Sequence, residues 1–352
     1  MLCFRILYFV KTEPCLTIQR RHIIQKKILL LSVFLLLVLL FSFLSLLIGT
    51  SSISFKDSFL ALFGIGDEKT IGIITQIRLP RVLGALAVGG GLSIAGLVMQ
   101  TSLDNDMASP QTLGVSSASV FGANLSILIF SSSFLLSTTI FAFLFGILCI
   151  FFILVLSLRN HFKTVTIVLS GLALSSLFQA LTTILQYFAD SNSLSEAIYW
   201  SFGDLSRLSL KDCIPLGVAS LAGFLFFLTQ TMALNGMSLG EKEARTLGIP
   251  LGKKRILFLL VSSMMVSLLL SYCGIIAFLG LIAPHIGKKF FHLDHRFLLP
   301  GTFIIGQIVL LVSDLASRLL FSGISLPVGA VLSILGVPFL LFLILRKEKD
   351  HA

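Results

Sequence analysis

The chain has 352 residues, of which 56% are hydrophobic and only 12% charged, with a mean hydropathy of +1.02 and a formal net charge of +10. A water-soluble domain of this size cannot bury so many long apolar runs. A soluble enzyme or regulator is therefore excluded, and an all-α protein that crosses a membrane many times is indicated. The basic excess does not point to nucleic acid, because the basic residues lie in short loops between apolar runs and form no patch interleaved with aromatics.

Residues 1–27 mix a short apolar start with Arg20, Arg21, Lys26 and Lys27. They are expected to form a loose cytoplasmic extension before the first long apolar run, which starts at Ile28 and shows no small-residue cleavage site. Ten runs account for the hydropathy: about 28–48, 82–102, 113–131, 135–158, 165–189, 213–233, 254–272, 274–291, 297–317 and 327–345. Roughly 20 apolar residues make a helix long enough for the hydrocarbon layer, so about ten transmembrane helices are predicted. These make one membrane domain, 28–347, followed by a short tail, 348–352. Ten crossings put both termini on one side. With the amino terminus inside, 19 Lys and Arg fall inside and seven outside (Lys56, Lys69, Arg78, Arg81, Arg207, Lys211, Arg318), the expected bias.

The second run opens with Arg78-Leu79-Pro80-Arg81 and continues through small residues, Ala87, Gly91 and Ala95 recurring every fourth position beside Gly89, Gly90 and Gly96. Such a face lets helix backbones approach closely, so this helix is expected among other helices rather than against lipid. A polar break at 103–110 then turns the chain into the third run. The longest inner connection, 235–255, contains Ser238 three residues before Glu241, the spacing of a capping box. Gly248 and Pro250 stand where a helix would stop. A helix of about two turns is predicted over 239–247, with Ser238 as its N-cap. So short a helix is marginal in water and must pack on a partner or on its own membrane domain.

The segment 274–301 carries His285, His292, Asp294 and His295. Lys288 and Lys289 beside them, and the missing carboxylate cluster, argue against a metal site, so no metal ligands are assigned. The five cysteines are scattered without a CxxC pair, giving neither a disulfide framework nor a zinc site. Arg318, near the outer end of the ninth run, has Asp314 one turn earlier. It either pairs there within the membrane or joins Arg78 and Arg81 in an outward positive patch. No GxxxxGK[ST] loop, HExxH or GxSxG occurs, and the runs hold almost no ionisable residues besides Asp314. Ion-coupled carriers ordinarily need such groups at mid-membrane, so uphill transport by this chain calls for an engine in a partner.

Several ordered motifs then converge: RLPR at Arg78–Arg81, N-x-x-A-x-P-x-x-LGVSS at Asn105–Ser117 and LGEKEARTLGI at Leu239–Ile249, followed by GIIAFLGLIAPHI at Gly274–Ile286, DHRFLLP at Asp294–Pro300 and LPVG at Leu326–Gly329. Together they make the chain resemble the FecCD-type ABC transporter permeases, the membrane subunits of importers for iron–siderophore complexes, haem and cobalamin. The resemblance implies a non-catalytic, type II permease in the bacterial cytoplasmic membrane with both termini cytoplasmic. It would pair with a second permease copy or paralogue, two ATPase subunits and an extracellular or periplasmic substrate-binding protein. ATP–Mg would be held by the ATPase and no cofactor by this chain. It further implies that Arg78, Arg81 and Arg318 dock the binding protein. Ser238, Glu241, Ala244, Leu247 and Gly248 would belong to the ATPase-coupling segment, about 238–249, and Asn105 and Met107 would lie at the cytoplasmic gate. An iron–siderophore complex is the expected cargo, haem or cobalamin the alternatives within the family, and a secondary ion-coupled carrier the alternative outside it. The chain departs from the family pattern at Asp106 (usually proline), Ser109 (usually acidic), Ser325 (often acidic) and Ala118 (usually glycine).

Overall fold

The computed structural model describes residues 2–49, 53–130, 135–158, 162–320 and 325–349, with side chains for 22–49, 53–130, 138–158, 162–320, 325–339 and 341. Arg159, one of the cations expected inside, and the last residues of the tail lie outside the described residues. The protein is all-helical. In chain order the helices are α1 (Leu2–Leu47), α2 (Phe55–Ala61), α3 (Glu68–Gly72), α4 (Leu79–Leu103), α5 (Val115–Phe130), α6 (Leu135–Leu158), α7 (Thr164–Tyr187) and α8 (Ser191–Ser201). Then follow α9 (Leu210–Thr229), α10 (Thr231–Met237), α11 (Glu241–Thr246), α12 (Leu251–Cys273), α13 (Leu279–Phe291), α14 (His295–Leu319) and α15 (Val328–Lys349).

Nine of the ten expected crossings each correspond to one helix, the run 213–233 taking in α9 and the start of α10, and among the described residues seven helices are long and apolar enough to span a membrane by length and composition alone. α5 and the described apolar part of α15 are shorter. The run 274–291 is corrected. Gly274, at φ +75°, ends α12, and residues 275–278 stay non-helical, with Ile275 bridging Phe202, so α13 begins only at Leu279. Its 13 residues reach about 20 Å, too short for a full crossing alone. The backbone of residues 2–27 is helical and forms the first part of α1.

α4 is the axis of the packing. It is surrounded by α9, α12, α13 and α14; α1 lies beyond α14, and α5, α6 and α7 lie beyond α12. The small residues on α4 explain this. A Cβ at Gly96 would overlap the carbonyl oxygen of Gly280 on α13, and one at Gly89 would sit 2.7 Å from the carbonyl oxygen of Gly306 on α14. Helix backbones therefore touch at two levels, which dispersion and weak polar contacts reward where lipid already satisfies apolar side chains. In the window that would span the membrane, 83% of this segment is buried. The turns 73–78 ahead of α4 are π-helical, and Leu79 N–H bonds the carbonyl of Ile74. Pro80 has no N–H for the normal i−4 bond, and the wider turn absorbs that loss.

Candidate functional site

The chemistry gathers at the two ends of α4. At its amino-terminal end lie the three arginines, and they are buried: Arg78 is 3% exposed and Arg81 and Arg318 are each 5% exposed. Arg81 Nε donates to one oxygen of Asp314, and Arg318 donates to the other at 2.8 Å. Arg78 donates to the carbonyls of Leu46 (2.9 Å) and Leu47 (2.7 Å), and Arg318 to those of Ser45 and Ile48 (3.0 Å each). These are the last carbonyls of α1 and that of Ile48 just past its end, which no intrahelical N–H can reach and where the helix dipole favours cations. The expected outward cationic lip is therefore not what the side chains form. They clamp the α1 terminus, the start of α4 and the end of α14 together beneath the surface. A bare cation at this depth is too costly to leave unpaired. Ser325, where the family often has an acid, accepts from Arg81 at 2.9 Å.

At the other end, α4 stops at Asp104 (φ +46°), and the turn 104–110 follows. The side-chain oxygen of Asn105 accepts the Met107 N–H at 2.9 Å, while Met107 itself stays exposed. Asp106, the departure from proline, pairs with Lys288 at 2.7 Å, and Ser109 Oγ accepts the Thr112 N–H at 3.1 Å. Both departures thus tie the turn internally or to α13.

α11 is shorter than expected, Glu241–Thr246 instead of 239–247, and the capping box is corrected. The residue before α11 is Gly240, at φ +106° with no side-chain cap, while Ser238 ends α10 and donates to the Asn235 carbonyl at 2.8 Å. Glu241 is instead engaged by Arg255, the distance being 2.8 Å. That bond, first, and the charges of Arg255 and Arg245 hold the Glu241 carboxyl below the usual carboxylate range. The stop at Gly248 is as expected. At φ +75°, its N–H bonds the Arg245 carbonyl and the Ile249 N–H bonds that of Ala244, a Schellman motif. Ala244 faces inward and is fully buried, whereas Leu239 and Leu247 are exposed, the latter by 62%.

Arg255 escaped the sequence reading, although its signal was present. Arg255, Phe258, Leu259 and Ser262 are all buried at helical spacing on α12, which distinguishes this arginine from Lys253 and Lys254. The histidines do not converge: His285 Nδ1 lies 2.7 Å from the Leu281 carbonyl, and His295 lies between Asn235 and Thr101. Among the described residues, no group of three or more His, Cys, Asp or Glu could hold a metal ion.

Comparison with known proteins agrees with this architecture. The FecCD transport family matches residues 36–346. An ABC transporter permease protein of Methanocaldococcus jannaschii is 35% identical over 336 residues, 92% of this chain and 96% of that protein. The vitamin B12 import system permease BtuC of Salmonella paratyphi A is 34% identical over 276 residues, 78% of this chain and 84% of that one. A solved structure of a metal-chelate-type ABC transporter in an inward-facing conformation superposes with a TM-score of 0.80 at 30% identity, over 90% of this chain and 99% of that one. The chain therefore belongs to the FecCD transport family and is a multi-pass, non-catalytic permease subunit of an ABC importer.

Proposed function

We propose that this subunit carries an iron–siderophore complex across a bacterial cytoplasmic membrane, worked by ATP–Mg hydrolysis in two separate ATPase subunits and loaded by a substrate-binding protein. The observation that carries the ATPase side is α11, a stopped and anchored helix flanked by exposed Leu239 and Leu247. Ser238, Glu241, Ala244, Leu247 and Gly248 then form or flank the coupling element, and its end of the bundle is cytoplasmic, as are both termini. The turn carrying Asn105 and Met107 opens on the same side and serves as the inner gate. At the opposite end Arg78, Arg81 and Arg318 serve docking by holding the rim in shape for the binding protein, rather than by meeting it directly.

Similarity to a metal-chelate-type transporter over nearly its whole chain supports a chelated metal as cargo. Similarity to a vitamin B12 permease favours cobalamin as the second reading. The subunit is read as working beside a second permease copy or paralogue. The test is reconstitution in vesicles with its ATPase and binding protein. Uptake of radiolabelled iron in ferrichrome, dependent on ATP and on the binding protein, is expected. Uptake of labelled cyanocobalamin in its place would replace the siderophore reading, and accumulation without nucleotide hydrolysis would overturn the ABC mechanism.

A further inference from the structure

The last turn of α4 is held by three different helices through three consecutive residues. Gln100 accepts from Lys288 of α13 at 2.8 Å and donates to the Gly280 carbonyl at 3.2 Å. Thr101 Oγ1 lies 3.0 Å from Nε2 of His295 on α14, and the other ring nitrogen of that histidine lies 2.9 Å from Asn235 of α10. The carbonyl of Ser102 accepts from Arg255 Nε at 2.8 Å. Two of these grips lead to the segment that contains α11. Asn235 lies in α10, directly before it, and Arg255 touches α11 itself.

Arg255 is the stiffer link. The residue is 5% exposed, and each of its three side-chain nitrogens serves a different element. Nε takes the Ser102 carbonyl, Nη1 the Phe162 carbonyl of the α6–α7 turn at 2.9 Å, and Nη2 the carboxylate of Glu241 at 2.8 Å. A planar guanidinium fixes the directions of its bonds, which an ammonium cannot do. Ser102 lies two residues before Asp104, so whatever moves the Ser102 carbonyl moves the start of the turn carrying Asn105 and Met107.

Resting on the reading of α11 as the coupling helix, we infer that Arg255 is the positioning residue that carries a displacement of α11 into the last turn of α4 and so into the turn 104–110. It touches neither the ATPase nor the cargo. Its fork makes α11, α4 and the α6–α7 turn move as one body. The Lys288–Gln100 and His295–Thr101 contacts keep α13 and α14 in register with that movement.

The experiment uses the full permease assembled with its ATPase, with Met107→Cys as a reporter labelled by a maleimide with and without ATP–Mg. The nucleotide-dependent change in labelling rate is normalised to the ATPase retained. Arg255→Gln is expected to reduce that change by about tenfold or more, because it loses hydrogen bonds made by a charged group. Arg255→Lys keeps the charge without the fork. It is expected to assemble while still losing most of the change, which keeps the test decisive should the glutamine variant not assemble. A labelling change equal to that of the parent in either variant overturns the inference. Failure of the underlying reading shows differently: ATPase retention untouched by Glu241→Ala with Leu247→Asp means that α11 is not the coupling helix, whatever Arg255 does.

Discussion

Asp314→Ala tests whether the arginine cluster is a buried clamp or a set of surface charges. Asp314 is fully buried, with one oxygen taken by Arg81 and the other by Arg318. Removing it leaves two guanidiniums in a site where Ser317, Ser325 and the carbonyls of Ser45, Ile48 and Asp314 itself remain but no carboxylate does. Removing one partner of a buried pair costs about 3–5 kcal/mol, chiefly the penalty of the charge left behind. At about 2 °C per kcal/mol for a large chain, the unfolding midpoint should fall by about 6–10 °C. The assay is heating followed by size-exclusion of the detergent-solubilised subunit, with exposed Glu196→Ala as the control. The double variant Arg81→Met with Asp314→Ala should recover about 1–3 kcal/mol relative to the sum of the singles, because the residues share one contact. A midpoint for Asp314→Ala within about 1 °C of the control would sink the clamp, since a change that only adjusts a solvated charge is worth about 0–1 kcal/mol.

Gly96→Ala should cost about 1–3 kcal/mol or more, as its Cβ meets backbone on α13 that cannot rotate away, whereas Gly217→Ala on α9 has open space and should be neutral or slightly stabilising; the same heating assay compares them. Glu241→Ala with Leu247→Asp should leave membrane insertion intact and reduce ATPase co-purification by about tenfold, loss of an apolar anchor and a charged pair being of that order. The Glu241 carboxyl is held below 4.5, so the Glu241–Arg255 contribution is complete above pH 4.5 and is lost as the pH falls through the depressed value. ATPase retention should therefore decline more steeply on acidification below pH 4.5 in the parent than in Glu241→Gln, and parallel curves would remove the pair from the interface's pH response.

Periodicity and hydropathy made the fold readable, because a membrane helix must satisfy its own backbone and so declares itself as an apolar run. The burial of α4 could be read from its glycines and alanines, and the stop of α11 from Gly248. What could not be read was direction. Arg78, Arg81 and Arg318 sit at span edges, where an arginine can equally reach water or turn inward. The deciding fact, that the last carbonyls of α1 lie beside them, is a contact across more than thirty residues of sequence on one side and about 270 on the other. Ser238 failed for the opposite reason. Its spacing to Glu241 satisfied a local rule, but Arg255 offered the carboxylate a charged partner, and the α10 turn claimed the serine. α8 and α10 were missed because they are short and were absorbed into the loops or ends of longer apolar runs.

The two candidate regions are the two ends of one helix, and that placement constrains how they can act. α4 has 25 residues and is about 37 Å long, more than the roughly 30 Å of the hydrocarbon layer, so its ends lie at or near the two membrane surfaces. Between its ends, Gly96 and Gly89 put its backbone directly on the backbones of α13 and α14. A close-packed interior moves between discrete arrangements rather than deforming continuously, so displacement at Ser102 should be carried along α4 as a rigid movement and reach the Arg81–Asp314 pair. Arg81→Lys tests this from the far end. It keeps a charge for Asp314 but loses the fork to Ser317 and Ser325, and it should change the nucleotide-dependent labelling of Met107→Cys at the opposite end of the helix. An unaltered labelling profile, in a variant whose unfolding midpoint has measurably fallen, would mean that α4 bends or slips in between and that the two ends work independently.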